Sequence, residues 1–353
     1  MPTGSKPLRG RGAAINPTGR FDELHYEPDP DATPDESPAP RTRFYRDHSC
    51  SIISYNDSPD IGFAASLNPY RGCEHGCAYC YARPYHEYLG LSAGLDFETK
   101  ILVKENAPEL LRRELQSPHW QPQPLALSGV TDPYQPIERH LQLTRRCLAV
   151  LAECRNPVCI VTKNHLVRRD LDLLTELARH HAACVYLSLT TLDDQLVARM
   201  EPRTARPAAR LRAIHDLAQA GIPVGVLVSP VIPGLTDHEI PSLLKAAADA
   251  GAQFAHMTVL RLPGAVQQIF LEWLTREFPA RRERVLQQIR ALRNGQLNDS
   301  QFGTRLTGTG PAAERLHTWF DTARRRAGLA EEPPPLNTSA FRRPTGPQLT
   351  LFD

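Results

Sequence analysis

Three cysteines stand within one short run, Cys73-Glu74-His75-Gly76-Cys77-Ala78-Tyr79-Cys80. Their spacings of four and three residues, with Gly72 and Gly76 alongside, describe a loop that turns tightly enough to aim several thiols at one small object. Thiolates are soft ligands, suited to zinc or to an iron–sulfur cluster. Zinc in a closed structural site needs a fourth ligand, for which His75 and His86 are the candidates. A [4Fe–4S] cluster on three cysteines instead leaves one iron open to a small molecule. No second cysteine pair follows at the spacing of a zinc ribbon, which favours the cluster. Cys147, Cys154, Cys159 and Cys184 have no compact ligand spacing and read as small buried hydrophobes in helices and strands.

Such a loop needs a scaffold, and the chain alternates short apolar runs with helical segments. The runs are 125–127, 158–161, 185–189, 224–228 and 254–260. They are brief and nearly continuous, as in parallel strands buried on both faces. Helical periodicity covers 137–153, 171–180, 207–220 and 240–250. Thr236-x-x-Glu239 reads as a capping box opening the fourth helix, and Gly221 and Gly251 read as C-terminal stops for the third and fourth. Repeated strand–helix units predict an α/β fold with a parallel sheet. With one strand before Cys73, six units fit, which favours a partial (βα)6 barrel of the TIM type over a closed one of eight. The active face of such a barrel lies at the carboxyl ends of its strands. There the runs end in Ser128, Thr131, Asp132, Thr162, Lys163, Ser229 and Arg261, with Ser188 and Thr190 at the fourth.

The C-x3-C-x2-C loop, with Tyr79 before its last cysteine, resembles the signature of the radical S-adenosylmethionine (SAM) superfamily. The context Asn68-Pro69-Tyr70-Arg71-Gly72 through Tyr81-Ala82-Arg83 resembles the branch holding spore photoproduct lyase and DNA-repair-photolyase-like proteins. The similarity spans about residues 45–330. It implies that Cys73, Cys77 and Cys80 hold a [4Fe–4S] cluster and that SAM is cleaved reductively to a 5′-deoxyadenosyl radical. It implies SAM contacts from Thr131, Lys163 and Ser188, with Ser128 in reserve for Thr131. Tyr79 would place the adenine, chiefly through its backbone. Tyr79 and Tyr81 match tyrosines of the lyase's cluster loop, and Tyr81 would relay a hydrogen atom. An electron donor such as flavodoxin or ferredoxin follows as a partner. One departure stands out: where the lyase pattern calls for a hydrogen-donating cysteine, this chain has Ser128-Gly129-Val130.

The 353 residues suit one large domain or two modest ones, with tails. A net charge of +2 proves no nucleic-acid partner by itself. No apolar run is long enough to span a membrane, and no secretory leader opens the chain, so the expected compartment is the cytoplasm. Residues 1–45 are rich in proline, glycine and charge and are expected to be disordered. Residues 46–275 form the barrel, 276–330 a helical extension with 11 arginines between 276 and 326, and 331–353 a flexible tail. Val285, Leu286, Ile289 and Leu292 make one apolar helix face in that extension. The terminal Gln348-Leu349-Thr350-Leu351-Phe352 resembles the peptide by which bacterial repair proteins dock on the DNA sliding clamp, an extended segment with apolar anchors. The expected activity is therefore a repair-like radical reaction on nucleic acid. A protein or small-metabolite substrate, and a non-catalytic metal-stabilised binding module, are the alternatives.

Overall fold

The computed structural model describes residues 8–22 and 40–344. Six parallel strands form its centre: β1 (Ala65–Leu67), β2 (Leu125–Leu127), β3 (Val158–Thr162), β4 (Ala183–Ser188), β5 (Val224–Val231) and β6 (Phe254–Val259). They pair in chain order, with an antiparallel strand, Ile53–Tyr55, on the outer edge of β1. This is the open six-stranded partial barrel that the sequence predicts.

The strands are short and apolar on one face because that face packs on helices. Leu125, Leu127, Val158, Ile160, Val185, Leu187, Val224 and Val226 are fully buried in one cluster with the helices. The covering helices include α1 (Ala107–Gln116), α2 (Leu143–Cys154), α3 (Leu171–Arg179), α4 (Pro207–Gln219) and α5 (Ile240–Asp249). Gly221 and Gly251 adopt positive φ just past α4 and α5, where a side chain would strain the turn.

Two local readings change. The segment 137–153 is broken: Glu138–Leu141 forms one turn, Gln142 takes φ 51°, and α2 begins at Leu143. The buried Glu138 carboxylate explains the break, since it accepts the amides of Thr144 and Arg145 and so caps α2 from outside. The capping box does not form either. Thr236 turns its hydroxyl to accept from the Ile232 amide, and Glu239 instead accepts from Thr191 and the Leu192 amide.

After β6 come α6 (Ala265–Glu277), α7 (Arg282–Ala291) and α8 (Gly310–Arg326). Val285, Leu286, Ile289 and Leu292 are buried, so the apolar face read from the sequence faces inward. The expectation of disorder over 1–45 fails for two stretches. Arg43–Arg46 is a strand paired with Lys100–Val103, and residues 8–22 pack under the cysteine loop. The segment after α8 is likewise docked as far as Pro344. Ala330 pairs with Phe254, the Asn337 amide donates to His181, and the Arg342 amide donates to Cys154, so the segment crosses the amino-terminal ends of β3, β4 and β6. The clamp-like peptide, Gln348 to Phe352, lies outside the described residues. No helix among them is long and apolar enough to cross a membrane.

Candidate active site

The cysteine loop leaves β1 and lies over the carboxyl end of the barrel. Cys73 and Cys77 are buried and Cys80 nearly so, and none of them is in a disulfide. Their backbone is held at many points. The Cys73 amide donates to Phe97, the Ala78 amide to Met200, and the Glu74 amide to the Gln135 side chain. Arg83 donates twice to the Cys77 carbonyl and forms a fully buried ion pair with Glu98. Glu98 also accepts the amides of Gly12 and Ala13 at 3.2 and 2.8 Å. Residues near the amino terminus thus clasp the loop. A side chain at Gly12 would place its Cβ 1.8 Å from the Gly76 carbonyl oxygen, and Gly76 itself sits at φ 66°.

Burial pushes the thiols of Cys77 and Cys80 up, Cys80 to about 11, with the neighbouring cysteines adding to it. Thiols gathered in so dry a loop fit a cationic iron cluster, whose binding releases their protons. Zinc fits less well. His86 Nε2 donates to the Lys100 carbonyl, and the ring packs edge-on to Phe97, with burial lowering its pKa to about 4. His75 faces Asp132 at 3.4 Å and Asn164. Burial opposes its charge, but Asp132 and Cys73 prevail and raise it to about 10. Among the described residues, no three histidine, cysteine or carboxylate groups converge on a single metal ion.

Beside the loop, four strand ends share one polar seam. Lys163, one residue past β3, donates to Ser188 Oγ at 2.5 Å and to the Ser229 carbonyl at 3.1 Å. Its ammonium lies 5.8 Å from the centre of the Tyr79 ring. Ser188 and Thr190 also donate to the Ser229 carbonyl, and Ser229 Oγ meets Thr258 Oγ1. Behind them lies Glu201, fully buried, accepting from Tyr79, Thr190 and Arg210. Burial raises its pKa, yet Arg210 and Lys163 outweigh this and hold it near 2. The structure thus brings Lys163 and Ser188 together.

Thr131 is placed differently. Its hydroxyl donates to the Tyr70 carbonyl and its amide to Asn68, beside β1. Ser128 and Gly129 form a positive-φ turn at the end of β2. The Tyr81 hydroxyl donates to the Gly129 carbonyl at 2.6 Å, and Arg261, from beyond β6, lies over the Tyr81 ring at 6.0 Å. Tyr81 thus spans the barrel mouth while remaining 46% exposed. Tyr79 instead buries its phenol against Glu201. Glu201, Arg210, Glu98 and the Gly12 clasp were missed by sequence reasoning, for no motif marks single side chains that join separate loops, as Glu98 joins Ala13 and Glu201 joins Tyr79.

Residues 67–247, just over half of the chain, match the family model of the Radical SAM superfamily. The chain belongs to this superfamily, whose cofactors are a [4Fe–4S] cluster and SAM. An uncharacterized protein of Mycobacterium tuberculosis (strain H37Rv) is 41% identical over 221 residues, 62% of this chain and 65% of that relative. The chain therefore spans slightly less than two thirds of it. An uncharacterized protein of Methanocaldococcus jannaschii is 32% identical over 173 residues, 49% of this chain and 62% of that one. Spore photoproduct lyase complexed with dinucleoside spore photoproduct is similar in fold, with TM-score 0.58 and 16% identity over 81% of this chain and 80% of that one.

Proposed function

We propose that this radical SAM enzyme acts on nucleic acid, in a repair-like reaction on DNA. The observation that carries the reading is the barrel mouth. Among the described residues Arg261 has no acidic hydrogen-bonding partner and its Nε is buried without an acceptor, so a cation waits over the exposed Tyr81 ring. Nearby, Phe302 offers a second exposed aromatic face beside Arg305, whose guanidinium is itself held by Asp60. A guanidinium beside accessible aromatic faces suits a phosphate with its base. The fold it shares with a lyase solved with a dinucleoside photoproduct supports the same substrate class.

When bound on Cys73, Cys77 and Cys80, the cluster with SAM supplies a 5′-deoxyadenosyl radical. The protein's part is positioning and exclusion of water. Lys163 presents an ammonium, and Ser188 a hydroxyl, to the carboxylate of SAM. The Tyr79–Glu201–Arg210 network fixes the loop against the strand ends. Tyr81 stands between this seam and solvent, where it can pass a hydrogen atom to a substrate radical. With no cysteine in the 128–130 turn, the chemistry differs in its hydrogen donor from repair that uses one there. A flavodoxin- or ferredoxin-type protein would deliver the electron.

The test is anaerobic incubation of the reconstituted enzyme with SAM, reductant and either damaged or intact DNA, followed by nucleoside mass spectrometry. An altered nucleoside, with 5′-deoxyadenosine formed above the DNA-free level, is expected. DNA-independent cleavage with every nucleoside unchanged contradicts the reading. Replacing Arg261 by Ala should weaken DNA binding about tenfold by fluorescence anisotropy.

A further inference from the structure

Cys159 on β3 and Cys184 on β4 are direct register partners in neighbouring parallel strands. Both point away from the helix-packed face that carries Val158, Ile160, Val185 and Leu187, and hence into the barrel. Their sulfurs lie 3.2 Å apart, the Cys184 thiol donating to Cys159. Cys184 is buried while Cys159 is partly exposed. Neither takes part in the cluster loop, and the seam of Lys163 and Ser188 makes no use of them. Tyr186 and Phe254, packed edge to face at 4.9 Å, occupy the next inward rung toward the mouth.

We propose that Cys159 and Cys184 form a redox-active dithiol that is oxidised reversibly by a small disulfide. The paired strands set the backbones at a separation a disulfide tolerates, so the sulfurs need close only from 3.2 Å to about 2.05 Å. Cys159, the accessible member, gives its proton to water and as the thiolate attacks one sulfur of the small disulfide, expelling a thiolate; the second thiolate, expelled in the next step, takes up a proton from water. Cys184 gives its proton to that leaving thiolate and attacks the Cys159 sulfur, expelling the second. The protein loses two electrons and two protons, and the small disulfide leaves as two thiols. The pair lies two inward-facing rungs below Lys163 and Ser188, about 13 Å along the strands. Oxidation therefore staples the two strands that meet at the proposed SAM carboxylate contact.

The experiment treats the anaerobic, cluster-loaded full chain with cystamine and maps its cysteines by differential alkylation and peptide mass spectrometry. The expected result is a linked pair of peptides bearing Cys159 and Cys184, about two mass units lighter than the sum of the free thiols and restored by dithiothreitol. The exposed Cys50 should carry a cysteamine adduct in the same sample, showing that the probe reacted. The Cys184→Ser variant should trap the adduct on Cys159. Free alkylation of both thiols while Cys50 is modified overturns the proposal. So does a stable adduct on Cys159 in the unaltered chain with Cys184 still free.

Discussion

Lys163 is the residue on which the proposed SAM contact rests. It ends an apolar strand, and its ammonium is held by Ser188 and a carbonyl rather than by a carboxylate. It is therefore free to pair with an incoming anion. Lys163→Ala should weaken SAM binding by 10- to 100-fold, about the loss of one charge-assisted hydrogen bond, in equilibrium dialysis. The cluster's visible absorption should be unchanged. Glu201 contributes at the same scale, through pH. Its pKa falls from 4.5 unfolded to about 2 folded, so its stabilisation is complete above pH 4.5 and disappears as pH drops through 2. The sum is about 3 kcal/mol. Denaturant melts between pH 5 and 2 should show it, and the Glu201→Gln variant should lose that part of the slope.

At the scale of elements, the cysteine loop depends on neighbours far away in sequence. The segment at Gly12 is pressed so close to Gly76 that any side chain collides with backbone. Gly12→Ala should displace either the clasp or the loop, reducing cluster content per chain after reconstitution and lowering the melting temperature by several degrees. Equal iron and sulfide content in the variant would show that the clasp is dispensable. This contrast explains what the sequence disclosed. Cys73, Cys77 and Cys80 stand out in the sequence because they fall within a single turn-rich run. That Lys163 and Ser188 meet at the strand ends is legible because strand ends are periodic. The Gly12–Glu98–Arg83 clasp and the Glu201 network are not, since they join loops through single side chains that composition cannot mark. Glu138 shows the same limit: a tertiary carboxylate cap splits a segment whose periodicity reads as one helix.

Over the whole molecule, an open barrel must close its gap by other means. Asp60, in the loop before β1, pairs bidentately with Arg305, which follows β6, and the Val259 amide donates to Leu306. The two edges are thus tied across the opening, while residues 330–343 cover the floor. The mouth stays accessible, with the cysteine loop, the Lys163 seam and Tyr81 around it. The central claim is that three cysteines hold a four-iron cluster whose unclaimed iron takes SAM. Mössbauer spectroscopy of the anaerobically reconstituted, iron-57-labelled protein, with and without SAM, tests it most directly. The prediction is a [4Fe–4S] signal in which one iron site alone changes when SAM is added. Four sites that ignore SAM, or a protein that binds zinc and assembles no cluster, would contradict it.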